Sequence, residues 1–244
     1  MHHSTKHRSG GTAQAIIVGD KMMKITYLGH ASFKIESDGK TVFVDPWLDG
    51  PTSPIGVQDV EHADLVLVTH DHGDHGYKEA VKICKKTGAY FIAINELAIQ
   101  ANSEGLKNVH TLNIGGSVKV DNVTVTLVQA FHSCSKGSPT GFVVRFPSNS
   151  FYDAGDTGVF SSMQLIGELY SPNLALLPIG SYFVMDVHQA ALATKLLKPK
   201  YVIPMHYNTF PVIKADPEEF RKIVSQTSPE TEVKILSPGE VLEI

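Results

Sequence analysis

The sequence predicts an α/β fold in which two β-sheets pack together and are flanked by helices. Three observations carry this expectation. Short apolar runs of strand length fill both halves of the chain, amphipathic helical runs alternate with strands towards the end of each half, and polar clusters rich in His and Asp fall just past strand ends. With 244 residues, 42% of them hydrophobic and 19% charged, the chain is long enough to enclose one large core. No linker rich in Pro, Gly or Ser divides it after Met22, so residues 22–244 are expected to form a single domain. Residues 1–21 combine His, Lys, Arg and Gly with little apolar content and read as a tag or disordered leader. His2, His3 and His7 are therefore set aside as ligands.

Each element has its own signal. "KITYL", "SFKIES" and "TVFVD" read as strands, the last two joined at Asp38-Gly39, a hairpin dipeptide. "ADLVLVT" reads as a buried strand, "KEAVKICKKTG" as a helix closed by Gly88, "AYFIAI" as a returning strand and "ELAIQANSEG" as a second helix. "VHTLN", "SVKV", "VTVTLVQA", "GFVVRF" and "SFYDAG" follow as strands bounded by Gly, Asn, Ser or Pro. The helical runs "MQLIGELY" and "HQAALATKLLK" precede the strands "LALLPI" and "YVIPMH", and "DPEEFRKIVSQ", acidic in its first turn, reads as the last helix.

Composition narrows the function classes. A net charge of -4 with scattered basic residues weighs against a nucleic-acid partner and for a small-molecule substrate. No apolar run reaches the roughly 20 residues of a membrane helix, so no membrane partner is expected. Cys84 and Cys134 lie far apart without CxxC spacing, which fits a reducing cytoplasm and argues against cysteine-held zinc.

The stretch "VTHDHGDH", Val68 to His75, crowds three histidines and two aspartates together. Adjacent imidazoles disfavour one another's protonation, so the partner that suits neutral histidine beside carboxylate is a divalent metal. His70 and His72, two apart at a strand end, project from one face and suit one ion, while a tight turn would aim Asp74 and His75 at a second. Further ligands must come from elsewhere. His132, Asp156 and His206 each lie just past a strand, and Asp156, with two oxygens, is the natural bridge.

The ordered combination "THDHGDH", "FHS", "AGDT" and "PMHY" resembles the metallo-beta-lactamase fold superfamily. With "YLGHAS", "DPWL", "LLPIG" and "IPMHYNTFPV" the chain is most similar to a branch of metal-dependent hydrolases related to ascorbate-phosphate lactonases, from Met23 to Ile244. The resemblance implies a four-layer αββα sandwich of two mixed sheets flanked by helices. It places His70, His72 and His132 on one metal and Asp74, His75 and His206 on the other, with Asp156 between. His72 stands where diiron relatives carry glutamate, which argues against redox chemistry. Asp71 and His188 depart from the branch's pattern and are read first as solvated loop positions, with an effect on the outer pocket's charge preference as the alternative. The branch also carries the expectation of a homo-oligomer.

The expected cofactors are two divalent ions per chain, zinc first, with manganese, iron or nickel as alternatives. The expected function is hydrolysis of a small ester, lactone or phosphoester by a hydroxide activated at the dinuclear site. A phosphodiesterase or nuclease of the same fold, or a non-catalytic metal-binding protein, are the competing readings. Beyond the ligand role of Asp74, the candidate catalytic side chains are Asp74 itself and His30 of "LGHAS". Asp45 of "VDPWL" is expected to orient a ligand imidazole by accepting its other N–H. His62, His110 and Cys134 are expected to play no catalytic part, and Tyr207 and Asn208 are candidates to line the pocket.

Overall fold

The computed structural model describes residues 22–244; the leader expected over residues 1–21 lies outside them. The first sheet contains β1 (Lys24–Gly29), β2 (Ser32–Ser37), β3 (Lys40–Val44), β4 (Leu65–Leu67), β5 (Tyr90–Ile94) and β6 (Val109–Leu112). The second contains β7 (Ser117–Val120), β8 (Val123–Gln129), β9 (Thr140–Arg145), β10 (Ser150–Asp153), β11 (Leu174–Pro178), β12 (Tyr201–Met205) and β13 (Glu232–Val233). A last strand, β14 (Val241–Glu243), returns to the first sheet beside β1. Both sheets are seven-stranded, in the orders β14-β1-β2-β3-β4-β5-β6 and β13-β12-β11-β10-β9-β8-β7.

Each sheet is mixed, and the cause is the connection type. Hairpins join the early strands antiparallel, a long loop with one 3-10 turn (Val57–Asp59) carries the chain from β3 to its parallel neighbour β4, and helices carry it between the other parallel pairs. In the first sheet α1 (Tyr77–Thr87) and α2 (Asn95–Ser103) make the parallel crossovers, and in the second α3 (Met163–Tyr170), α4 (Val187–Leu197) and α5 (Pro217–Thr227) do so. Helix ends follow their local chemistry. Gly88 closes α1 in the left-handed conformation at φ 79°, with its N–H on the Cys84 carbonyl. The Asp186 carboxylate accepts the Gln189 N–H to open α4, and Asp216 precedes Pro217 at the start of α5.

Period-two alternation divides the core between layers. Leu174 and Leu176 of β11 face the first sheet, while Ala175 and Leu177 pack under α3, α4 and α5 with Met163, Ala190 and Phe220. Burying a side chain such as Phe220 contributes roughly 1.5–3 kcal/mol. The predicted two-sheet sandwich flanked by helices is therefore the fold.

Two details differ from the sequence reading. The run expected as a strand over residues 63–69 is regular only over Leu65–Leu67, because Thr69 turns its N–H to the Asp45 carboxylate and its carbonyl to Thr140. Strands β13 and β14 were not anticipated, since two and three residues are too short for periodicity to register.

Candidate metal centre

Loops at the carboxyl ends of β3, β4, β8, β10 and β12 converge on one place. This is where open α/β sheets bind ligands, because the backbone leaves the sheet there and side chains are free to turn into a cleft. After β4, His70 and His72 lie in irregular backbone, and a single 3-10 turn over Gly73–His75 presents Asp74 and His75 before α1 begins. Gly76 links the turn to the helix at φ 67°, and a Cβ there would lie 2.3 Å from the Pro46 carbonyl carbon. Only glycine allows the "HDHGDH" loop to lie this close to the "DPWL" loop.

The converging side chains form two groups. His70, His72, His132 and Asp156 make one, and His30, Asp74, His75 and His206 the other; within each, one ligand atom per residue lies within 4.8 Å of the rest. His72 Nδ1 is 2.9 Å from His70 Nε2 and 3.3 Å from His132 Nε2. Asp156 faces both groups: its Oδ1 is 3.3 Å from His75 Nε2, and its Oδ2 is 3.4 Å from His132 Nε2 and 3.2 Å from His206 Nε2.

The support behind these groups sets their tautomers. Asp45, fully buried, accepts the Thr69 N–H at Oδ1 (2.8 Å), and at Oδ2 it accepts the Thr69 hydroxyl and His75 Nδ1–H, each at 2.6 Å. With its own proton donated to Asp45, the Thr69 hydroxyl is left to accept from His70 Nδ1–H at 3.0 Å. Both imidazoles thus carry their proton on Nδ1 and turn an Nε2 lone pair into the cleft. His30 is fixed the other way. Its Nε2–H donates to Asp74 Oδ2 at 3.1 Å, because a carboxylate can only accept, and Nδ1 accepts from the Thr209 hydroxyl at 2.9 Å.

Burial and charge set the protonation. Burial lowers His70 to about 2 and His30 to about 4, so both are neutral imidazoles at neutral pH. Burial pushes Asp156 up, but His75 and His206 more than reverse this and hold it well below the usual carboxylate range. Burial likewise lowers His75, but Asp156 and then Asp45 outweigh it and the net shift is upward. Burial and then Asp45 raise the Asp153 carboxyl well above the usual carboxylate range.

The backbone is strained where it presents these groups. His30, Asp45 and His206 all adopt left-handed φ, at 55°, 43° and 54°, a conformation that costs a non-glycine residue roughly 1–2 kcal/mol. The His206 N–H donates to the His30 carbonyl at 2.7 Å and locks two of them together.

Residues 24–206 match the beta-lactamase superfamily domain. A UPF0173 metal-dependent hydrolase of Caldivirga maquilingensis is 49% identical over 222 residues, which are 90% of this chain and 97% of that one. The chain belongs to the UPF0173 family. Another UPF0173 metal-dependent hydrolase, from Staphylothermus marinus, is 47% identical over 226 residues, covering 90% of this chain and 98% of its own. The structure of Igni18, a metallo hydrolase of Ignicoccus hospitalis, matches the UPF0173 chain with a TM-score of 0.86 at 43% identity, over 91% of this chain and 98% of that one.

In this UPF0173 protein all of the candidate metal ligands read from the sequence meet in the two groups, and His30 joins them. The other residues singled out are engaged as follows. His62 pairs with Asp64 at 3.0 Å and His110 stacks on Tyr90. The Cys134 thiol faces the Lys136 and Gly137 carbonyls, and burial and then Asp71 raise its pKa, the opposite of an activated nucleophile. Asp71 accepts the Ser135 N–H at 2.8 Å and so anchors the loop that follows His132. His188 is 72% exposed on α4, with its Nε2 4.0 Å from Glu219 of α5. The Asn208 amide is held by the backbone of Ala215, and Tyr207 and Asn208 line a cavity with His30 and Thr209. Thr69, Thr209 and Asp153 were missed; of these only Asp153, in "YDAGDT", had a signal, as a second acid in a ligand-bearing run.

Proposed function

We propose that the chain is a dinuclear metal hydrolase in which His70, His72 and His132 would hold one divalent cation and Asp74, His75 and His206 a second, with Asp156 available to both. The single observation that carries this reading is the position of Asp156 between the two groups. The fit is supported by the buried atoms it would satisfy: His75 Nε2, His206 Nε2 and Asp156 Oδ1 make no hydrogen bond. The donor set of imidazole and carboxylate suits zinc first, and also manganese, iron or nickel. When bound, two such cations supply a hydroxide nucleophile at neutral pH and polarise the substrate oxygen.

The protein's own groups do the positioning. Asp45 and Thr69 hold His75 and His70 in the metal-binding tautomer, and His30 donates to Asp74 and fixes its carboxylate plane. The substrate class is a small ester, lactone or phosphoester. Among the described residues no helix is long and apolar enough to cross a membrane.

The test is to strip the protein with a chelator and restore it with zinc, manganese or nickel, assaying activated esters, lactones and phosphodiesters. Asp156→Asn and His206→Ala should each lose metal-dependent turnover, by about a thousandfold or more, while keeping the far-ultraviolet circular dichroism of the parent. Undiminished turnover in either variant contradicts the assignment.

A further inference from the structure

Two groups of aromatic rings flank the candidate centre, and neither the proposed ligands nor their supports account for them. On one side Trp47 and Phe210 stand edge-on to His30, with ring centroids 5.4 and 5.7 Å from it and 6.0 Å from each other. In the second group Phe131, immediately before His132, is 62% exposed. Its N–H donates to Thr157 Oγ1 at 3.0 Å and its carbonyl accepts the Gly158 N–H at 3.1 Å, which ties it to the segment that follows Asp156.

Tyr182 and Phe183, whose ring centroids are 4.7 Å apart, belong to this second group through the loop that carries them. Their loop leaves β11 with Gly180 against the His206 carbonyl and is tied back where the Met185 N–H donates to the Thr157 carbonyl at 3.1 Å. Ser181 and Tyr182 are both left-handed, at φ 56° and 55°, and the Ser181 carbonyl accepts from the Phe183 and Val184 N–H groups. The loop is pinned at both ends to ligand-bearing segments, yet it holds the Tyr182 and Phe183 rings 75% and 53% exposed.

Charge points the same way. Across the loops that bear ligands and rings, residues 45–58, 68–76, 129–140, 154–162, 178–188 and 205–213, the sole lysine or arginine is Lys136, and its ammonium is bonded to Gln100 of α2. A phosphorylated substrate would find no guanidinium to pair with its oxygens. Aromatic rings do favour a hydrocarbon chain or a second ring.

We propose that this rim selects uncharged esters or lactones whose acyl part carries a hydrocarbon chain or aromatic ring. The inference rests on the hydrolase reading above and narrows its substrate class. Water adds OH to the acyl carbon and its remaining proton goes to the departing oxygen, so the rim changes binding and not the bond chemistry.

The experiment uses zinc-restored protein and the 4-nitrophenyl esters of acetate, butyrate, octanoate and phenylacetate, with 4-nitrophenyl phosphate as the charged comparison. The expected kcat/KM rises roughly tenfold or more from acetate to octanoate, mainly through KM, and the phosphate is the poorest substrate. Tyr182→Ala/Phe183→Ala should abolish most of that rise, whereas Leu169→Ala on exposed α3 should preserve it. Trp47, the single tryptophan, provides a readout independent of turnover: octanamide and phenylacetamide should change its emission saturably. Turnover of all esters at equal kcat/KM with a silent Trp47 overturns the rim and spares the hydrolase. A responsive Trp47 without turnover does the reverse. An unchanged ester ratio in the double variant, with altered sedimentation, assigns the rings to contact between copies and also overturns the proposal.

Discussion

Asp45 makes no direct approach to the cleft, yet it fixes the ring of His75 and, through Thr69, the ring of His70. Asp45→Asn replaces one acceptor oxygen with a donor NH2, so at least one of these bonds is lost and a ligand imidazole is freed to take the wrong tautomer. The expected result is metal affinity weakened about 10- to 100-fold in a chelator competition titration, with little change in helix content. Equal affinity in the variant would show that Asp45 serves packing alone. At this scale the sequence was most informative about the ligands, because "HDHGDH" has no cheaper explanation and His132, Asp156 and His206 each close a strand. It was least informative about Thr69 and Thr209, since a threonine beside a histidine has no spacing that marks it as its partner.

At the scale of elements, close approaches between loops set the geometry. Gly180, after β11, would carry a Cβ 2.1 Å from the His206 carbonyl oxygen, so Gly180→Ala must displace the end of β12. We expect a loss of about 1–3 kcal/mol in chemical denaturation together with reduced metal retention; full retention with normal stability would mean that the two strand ends are not coupled. Asp64 fastens the start of β3 more simply, accepting the Thr41 N–H at 2.8 Å and the Lys40 ammonium at 2.9 Å. Burial raises its pKa, but Thr41 and then Lys40 outweigh this and the net shift is downward. Its contribution is therefore present above the unfolded carboxylate value of about 3.9 and is lost as pH falls through the lower folded value. Asp64→Asn should cost about 1–2 kcal/mol at pH 7 and flatten the acid limb of a stability-against-pH curve; a parallel limb in the variant would refute this. Hairpin chemistry was legible here, as both Asp38 and Gly39 are left-handed, at φ 52° and 77°. The end of β4 was not, because the Asp45 carboxylate and the Thr140 N–H draw Thr69 out of the ladder, and both are distant in sequence.

Over the whole molecule, both sheets run their parallel strands so that the carboxyl ends meet, and that arrangement lets residues as distant as His30 and His206 share one cleft. The layered sandwich was readable from the order of strands and helices. The pairing of β14 with β1, which joins the chain's end to the first sheet, depends on long-range register that no local pattern records. The measurement that bears most directly on the account is a titration of chelator-stripped protein with zinc, following bound metal per chain and ester turnover together. Saturation is expected at about two ions per chain, with activity rising as the sites fill and both ions weakened by Asp156→Asn. Saturation at one ion, or turnover that persists in the stripped protein, would contradict it.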